Sequence, residues 1–160
     1  MGTAEVRRSV QVPEAAEVVW AAATDWPGQS EWMFGTEVHV IRGHGAGPGS
    51  ELAAFTGLGG IGFLDRMEIT EWEPPLRCVV RHTGPLVRGT GGFRVVRSTE
   101  AGSTFLWWER FELPTVGSLA WPLVRPGFEW GLQKSLERFA AVCSRYRHGH
   151  HGSAEDHGGE

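Results

Sequence analysis

The sequence of 160 residues has little of several features that mark particular protein classes. It has only two cysteines, Cys78 and Cys143, with no C-x-x-C spacing, which argues against a disulfide framework or a thiolate metal site and predicts two buried free thiols. No run approaches the roughly 18 apolar residues of a membrane helix, and no apolar stretch of signal length follows Met1. We therefore expect a cytoplasmic protein without stable membrane insertion.

The net charge is small and negative, and known catalytic motifs are few. The net charge of -4 argues against nucleic acid as the main partner. The glycine-rich segment 43–49 lacks the Gly-Lys-Ser/Thr ending of a phosphate-binding loop, and no Gly-x-Ser-x-Gly elbow occurs. The C-terminal histidines lie in a segment with no fixed geometry for metal binding: His148, His150, His151 and His157. We expect no cofactor, no physiological metal site and no covalent nucleophile.

The first third of the chain has a clear pattern of elements. Residues 5–12 alternate as a strand that Pro13 ends, and residues 14–24 carry Ala, Val and Trp at helical spacing. A second short helix is predicted from Asp25, with Pro27 in its first turn.

Six β-patterned runs follow, as in an antiparallel meander: 36–42, 50–56, 62–72, 76–83, 87–97 and 103–113.

The last predicted element is an amphipathic helix over about 126–147, entered after Pro122 and Pro126. It would be roughly 30 Å long at 1.5 Å per residue, enough to span the sheet. Residues 148–160 are Gly, His and acid with almost nothing apolar to bury, which predicts a disordered tail. The domain is therefore predicted to cover residues 1–147.

Several short motifs together resemble one known family. They are Val12-Pro13 with Val18-x-Trp20, Asp25-Trp26-Pro27 with Trp32, the 43–49 loop, Trp72-Glu-Pro-Pro75, Gly102-Ser-Thr104 and Ser135-Leu136-Glu-Arg-Phe139. Over residues 5–147 the chain resembles the START-like polyketide cyclase/dehydrase and lipid transport superfamily (SRPBCC). The resemblance implies an α+β helix-grip fold, in which a curved seven-stranded antiparallel sheet wraps around a long C-terminal helix. Two short helices would lie between strands 1 and 2.

The resemblance also implies a cavity for an apolar small molecule between sheet and helix, with the 43–49 loop as a lip over its mouth. Strand parity then predicts which side chains face the cavity. Asp65, His82 and Glu109 interrupt apolar rows, and counting from the turns places all three toward one end of the sheet. The predicted ligand-binding residues are Trp107, Phe111, Phe105, Phe93, Met67, Val80, Phe128 and Leu132. The alternative is that a strand register is shifted by one residue, which would turn the predicted cavity-facing side chains of that strand to the opposite face of the sheet.

Three functions follow from these expectations. The first is binding of a lipid, polyketide or aromatic metabolite in the cavity. The alternative is a polyketide cyclase/dehydratase, with His82 and Glu109 as base and acid and Asp65 or Arg66 orienting. The third is an interaction or regulatory module that uses residues 114–130 as an exposed apolar patch for a partner or a homodimer. For that segment we favour the alternative that Trp121 and Leu123 pack over the cavity end.

Overall fold

The fold is a seven-stranded antiparallel sheet with one short and one long α-helix. The computed structural model describes residues 2–98 and 102–151. In chain order the elements are β1 (Gly2–Val12), α1 (Ala16–Thr24), a 3-10 helix (Pro27–Glu31), β2 (Thr36–Arg42), β3 (Glu51–Leu58), β4 (Ile61–Glu73), β5 (Arg77–His82), β6 (Gly89–Arg97), β7 (Ser103–Leu113) and α2 (Thr115–His151). The predicted helix-grip fold is confirmed, and the second short helix is of the 3-10 type.

The sheet has the order β1-β7-β6-β5-β4-β3-β2, so β1 closes against β7 and the other neighbours follow the chain. The register sets Gly91 of β6 opposite Glu109 of β7, and Met67 of β4 opposite His82 of β5. These pairings bring the polar positions of three strands toward one end of the concave face. Parity along each strand then decides which side chains enter the interior.

The core lies between the concave face, α1 and the second half of α2. Trp32 packs on Phe139 at a centroid distance of 4.7 Å, and Phe139 packs on Phe105 at 4.2 Å. Leu136, Phe139 and Cys143 of α2 are fully buried. Both cysteines are free and buried, as predicted, and burial raises the pKa of each thiol to about 12. Neither thiol is therefore a reactive thiolate at neutral pH.

Helix α2 is longer than predicted. It begins at Thr115 and runs through Pro122 and Pro126, where the sequence predicts a start near 126. A proline removes one amide donor and is usually a helix breaker. Here both prolines are exposed, so water can hydrate the carbonyl groups that lose their partners.

The helix also continues to His151, four residues beyond the predicted end of the domain at 147. The remaining part of the predicted disordered tail, from residue 152, lies outside the described residues.

Candidate functional site

A cavity of about 110 Å³ lies between the concave face of the sheet and the connection from α1 to β2. Four of the predicted ligand-binding residues line it: Met67, Val80, Phe93 and Trp107. The connection contributes Trp26, Gln29 and Met33, and β2 and β3 contribute Thr36, Val38, Leu52, Ala54 and Thr56. Cys78 and Asp65 complete the wall with the backbone of Gly92. The interior is therefore largely apolar, with one titratable carboxyl group.

Four other predicted ligand-binding residues do not line this cavity. Phe105 is completely buried against Phe139, so it belongs to the core. Phe111 and Phe128 pack on each other at 5.6 Å in a separate aromatic cluster. Leu132 is partly buried against the core. Strand parity correctly predicts the face of Phe105 and Phe111 in β7, but it cannot separate cavity wall from packed core. Phe128 and Leu132 lie on α2, where strand parity does not apply.

The predicted ligand-binding residues do not include the cavity-lining residues of β2 and β3, although the alternation of β3 indicates them. Leu52, Ala54 and Thr56 alternate along β3, and the register sets Leu52 opposite Met67 and Ala54 opposite Asp65. The alternation of cavity-facing residues in β4 therefore continues in the neighbouring strand β3. Trp26 and Gln29 lie in a 3-10 turn, where no strand parity applies.

Asp65, His82 and Glu109 form a continuous hydrogen-bonded array. The Nδ1 atom of His82 lies 2.9 Å from both carboxylate oxygens of Asp65, and its Nε2 atom lies 3.0 Å from Oε2 of Glu109. Trp107 closes the array, because its Nε1–H donates to Oε1 of Glu109 at 3.0 Å. The three residues predicted to meet on the concave face therefore do meet there, although three different strands supply them.

The array is largely buried, and this burial affects the protonation of His82 and Glu109. The exposed fractions of the side chains are 4% for His82, 13% for Asp65 and 11% for Glu109. Burial alone would lower the pKa of His82, but the hydrogen bonds and negative charges of Asp65 and Glu109 outweigh it and raise that pKa to about 10. Burial also raises the pKa of Glu109, with the hydrogen bonds from His82 and Trp107 offsetting part of the effect. The array therefore holds its protons tightly at neutral pH.

A proton can move within the array without changing its net charge. When His82 is an imidazolium, it donates to Asp65 through Nδ1–H and to Glu109 through Nε2–H. If the Nε2 proton moves to Glu109, the carboxylic acid donates back to the neutral imidazole. Both states carry the same charge, and both satisfy every contact between the three residues. The arrangement suits storage and relay of a proton.

The missing side chain at Gly91 makes room for the carboxylate of Glu109. A Cβ atom at position 91 would lie 2.7 Å from Cδ and 2.9 Å from Oε1 of Glu109, closer than normal contacts allow. Glycine at this position therefore lets the carboxylate turn toward His82 from the neighbouring strand. The register Gly91↔Glu109 places this glycine directly opposite the residue that carries the carboxylate.

The three groups differ in their access to the cavity. Asp65 lines the cavity, whereas His82 and Glu109 do not appear in its wall. Both nitrogens of His82 are already engaged by carboxylates. Arg66, the alternative orienting residue, is exposed on the opposite face of β4, since successive side chains of a strand alternate. Asp65 is thus the member of the array that can touch a ligand in this cavity.

The raised pKa of His82 predicts a loss of stability at alkaline pH. The ordinary value is 6.5 and the folded value is about 10, so the folded state binds this proton more tightly than the unfolded state. The stabilisation is complete below pH 6.5 and is lost as the pH rises through about 10. Urea titrations between these limits should show the free energy of unfolding falling by up to about 1.4 kcal/mol per pH unit.

A matched variant tests the assignment of this pH dependence. The exposed histidine variant His39→Leu should keep the slope, whereas the triple variant Asp65→Asn/His82→Leu/Glu109→Met should lose it. An unchanged slope in the triple variant would show that other groups cause the alkaline destabilisation.

The 43–49 loop is tied to the cavity wall by one hydrogen bond. Trp26, which lines the cavity, donates its Nε1–H to the carbonyl oxygen of Gly45 at 2.8 Å. Gly45 has a φ of +72°, and a Cβ atom there would lie 2.8 Å from that same Nε1. Glycine is required because both the left-handed backbone and the close indole exclude a side chain. The loop therefore rests on the side of the cavity formed by Trp26.

The first half of α2 does not cover the cavity end as predicted. Leu123 is 87% exposed, so its predicted packing is wrong. Trp121 does pack inward, on Phe111 at 6.0 Å and on Phe128 at 5.9 Å. Leu123 lies two residues, or about 200°, from Trp121 around the helix, so the two side chains cannot share one face.

The described part of the chain has neither a metal-binding cluster nor a membrane-crossing helix. Within 2–98 and 102–151, no group of three or more His, Cys, Asp or Glu side chains is arranged to hold a metal ion. Across the same residues, no helix combines the length and apolar character needed to cross a membrane. The side chains of the C-terminal histidines His148, His150, His151 and His157 lie outside the described set.

Comparison with known proteins identifies the family. A family model described as polyketide cyclase / dehydrase and lipid transport matches residues 3–144. A comparison with curated proteins finds no match.

Several solved structures share the fold. A protein from Thermus thermophilus superposes with a TM-score of 0.74 at 19% identity, covering 89% of this chain and 98% of the other. The Zhui aromatase/cyclase from Streptomyces sp. R1128 gives a TM-score of 0.72 at 16% identity, with 90% and 95% covered. Norcoclaurine synthase from Thalictrum flavum gives 0.67 at 12% identity, with 91% and 97% covered. At these identities the likeness establishes the fold alone.

Proposed function

Because the chain belongs to the polyketide cyclase/dehydrase and lipid transport family, we propose that it binds an apolar small molecule that carries a hydroxyl group. The ligand would be a lipid, polyketide or aromatic metabolite, with an apolar end in the cavity and the hydroxyl group on Asp65. The observation that carries the proposal is a largely apolar cavity with a single carboxyl group in its wall. Such a site combines apolar burial with one orienting polar group, as small-molecule sites commonly do.

The size of the cavity limits how much of the ligand it encloses. An apolar cavity of roughly 150 Å³ binds benzene, whereas sites for whole drug-sized ligands have volumes of about 300–1,000 Å³. A cavity of about 110 Å³ therefore suits one small ring or a short alkyl end. The remainder of a larger metabolite would extend beyond this space or require the wall to move.

The polar atoms of the wall favour a ligand that donates a hydrogen bond. Gln29 donates to the carbonyl of Ala23 at 3.1 Å, and the hydroxyl groups of Thr36 and Thr56 bond to each other at 3.0 Å. These groups are already engaged within the protein. Each oxygen of Asp65 contacts His82 yet keeps a second lone pair, so Asp65 can accept a hydrogen bond from a hydroxyl group.

A cyclase/dehydratase is a second candidate, supported by the array behind Asp65. In this proposal the carboxylate of Asp65 removes a proton next to a carbonyl group of the ligand, and the electron pair of the broken C–H bond forms an enolate. Asp65 then gives that proton to the β-hydroxyl group. The C–O bond breaks, water departs and the enolate electrons form the C=C bond. His82 and Glu109 act through Asp65, because His82 holds the Asp65 carboxylate through Nδ1 and is itself held by Glu109 through Nε2.

A matched pair of probes tests the binding proposal. Phenol and toluene have similar shape, but only phenol can donate to Asp65. We expect calorimetry to show phenol binding roughly tenfold or more tightly than toluene, the effect of a hydrogen bond to a charged group. Asp65→Asn should reduce this difference, and Ala54→Phe, which places a ring in the cavity, should abolish binding of both probes.

The control is Val96→Phe, a comparable enlargement at an exposed position of β6 outside the cavity, which should leave both affinities unchanged. Equal affinity of phenol and toluene would contradict the role of Asp65. Binding that survives Ala54→Phe would contradict the cavity itself. Native mass spectrometry of protein from its own host would then identify the natural ligand, and conversion of that ligand would separate the enzyme from the carrier.

A homodimer or partner interface is supported by the outward face of α2. Val116, Leu119, Leu123 and Trp130 are all strongly exposed and recur at helical spacing on one side. The inward side carries Trp121 and Phe128, which contact the body of the protein through Phe111. Homodimerisation, regulation of another protein and a cytoplasmic location stay predictions.

A further inference from the structure

A second groove lies on the convex face of the sheet, away from the cavity. Its volume is about 350 Å³, within the range of about 300–1,000 Å³ typical of small-molecule sites. Four arginines line it: Arg7, Arg77, Arg94 and Arg110. Trp108, Leu106, Thr90 and Glu5 complete the wall. For a chain with a net charge of -4, this is an unusual concentration of positive charge.

The strand register sets the arginines around the indole of Trp108. Trp108 is directly opposite Arg7 of β1 and Gly92 of β6. Arg110 follows two residues later on the same strand, and Arg94 occupies the diagonal position beyond Gly92. Direct and diagonal cross-strand neighbours lie within roughly 8 Å of each other, within the reach of long side chains. Because Gly92 has no side chain, no β6 side chain directly opposite covers the indole.

The charges of the groove are only partly balanced by the protein. Arg7 pairs with Glu5 at 2.8 Å, and Arg77 pairs with Glu71 at 3.2 Å. Over residues 2–98 and 102–151, no ion pair involves Arg94 or Arg110.

The register adds a direct repulsion. Arg77 and Arg94 are directly opposite each other on neighbouring strands, an arrangement that is destabilising for like charges. A bound anion would offset this repulsion.

We propose that this groove binds a small organic anion with a flat ring, such as a nucleoside monophosphate. The ring stacks on Trp108, and the phosphate lies between Arg77 and Arg94, which are directly opposite each other on β5 and β6. Guanidinium groups match the oxygens of a phosphate in bidentate geometry, and an indole offers a broad face for stacking. The groove lies on the opposite face of the sheet from the cavity, so binding there does not depend on the function proposed for the cavity.

Calorimetry at low ionic strength tests the proposal with three probes: AMP, adenosine and inorganic phosphate. Low salt is needed because exposed charges are screened. AMP should bind roughly tenfold or more tightly than either adenosine or phosphate, because only AMP uses both the ring and the charge. Arg77→Gln and Arg94→Gln should each weaken AMP binding roughly tenfold, and Trp108→Leu should remove the advantage of AMP over phosphate.

Arg81→Gln is the matched control, because Arg81 is exposed on the sheet, pairs with Glu68 at 2.7 Å and does not line the groove. Its affinity for AMP should equal that of the unaltered protein. The proposal is overturned if AMP does not bind, or if Arg81→Gln weakens binding as much as Arg94→Gln. Urea denaturation of the same variants checks that the fold is intact.

Discussion

Replacing His82 by leucine is expected to lower the free energy of unfolding by about 3–5 kcal/mol at pH 7. His82 lies between two buried carboxyl groups and supplies the positive charge that stabilises both, at 2.9 Å from Asp65 and 3.0 Å from Glu109. Without it, Glu109 keeps only the hydrogen bond from Trp107 in a site that disfavours its charge. Removing one partner of a buried charged group costs more than replacing the whole group by apolar side chains.

A second substitution in the same chain tests this cause directly. His82→Leu/Glu109→Met removes the stranded carboxyl group, so urea denaturation should show most of the lost stability restored. The exposed variant His39→Leu should change the free energy of unfolding by less than about 0.5 kcal/mol. A double variant no more stable than His82→Leu alone would show that packing, rather than the unpaired charge, causes the loss.

Replacing Phe139 by alanine should cost about 3–5 kcal/mol, as for other large-to-small changes at fully buried aromatic positions. Phe139 is completely buried and packs on Phe105 at 4.2 Å and on Trp32 at 4.7 Å. Phe139 is therefore one of the main residues that pack α2 against the concave face of the sheet. Thermal and urea denaturation should both show the loss.

Phe34→Ala is the matched control for this change. Phe34 is 49% exposed, and its main aromatic contact is with the guanidinium of Arg138 at 4.7 Å from the ring centroid. Loss of an exposed cation–π contact is worth about 0.5–1 kcal/mol. Equal effects of Phe34→Ala and Phe139→Ala would contradict the assignment of Phe139 to the core.

Sequence patterning was sufficient to bring Asp65, His82 and Glu109 together, because their strands alternate regularly and are joined by short turns. The alternation of β7 from Phe105 to Glu109 continues without interruption, and the register Gly91↔Glu109 agrees with counting from the turn. Hydrophobic periodicity likewise identified the buried residues Leu136, Phe139 and Cys143 in α2. These features depend on neighbours near in sequence or on one regular period.

Features that depend on local irregularity or on contacts distant in sequence were not predictable. A register shift between Ile69 and Glu71 turns Trp72 into the core, where it packs on Trp20 at 4.9 Å. A bulge of this kind inverts the alternation and leaves no reliable trace in the sequence. The cavity wall formed by Trp26 and Gln29 depends on how the 3-10 turn lies over the sheet, which requires tertiary contacts.

The two halves of α2 will differ in how their backbone amides exchange with solvent deuterium. Pro122 and Pro126 carry no amide hydrogen, so the helix ladder is interrupted twice in an exposed segment. Amides there exchange through local opening, because few buried contacts oppose it. Those near Leu136, Phe139 and Cys143 exchange only when the core itself opens. One continuous helix thus contains a locally labile first half and a second half whose protection approaches that of the whole fold.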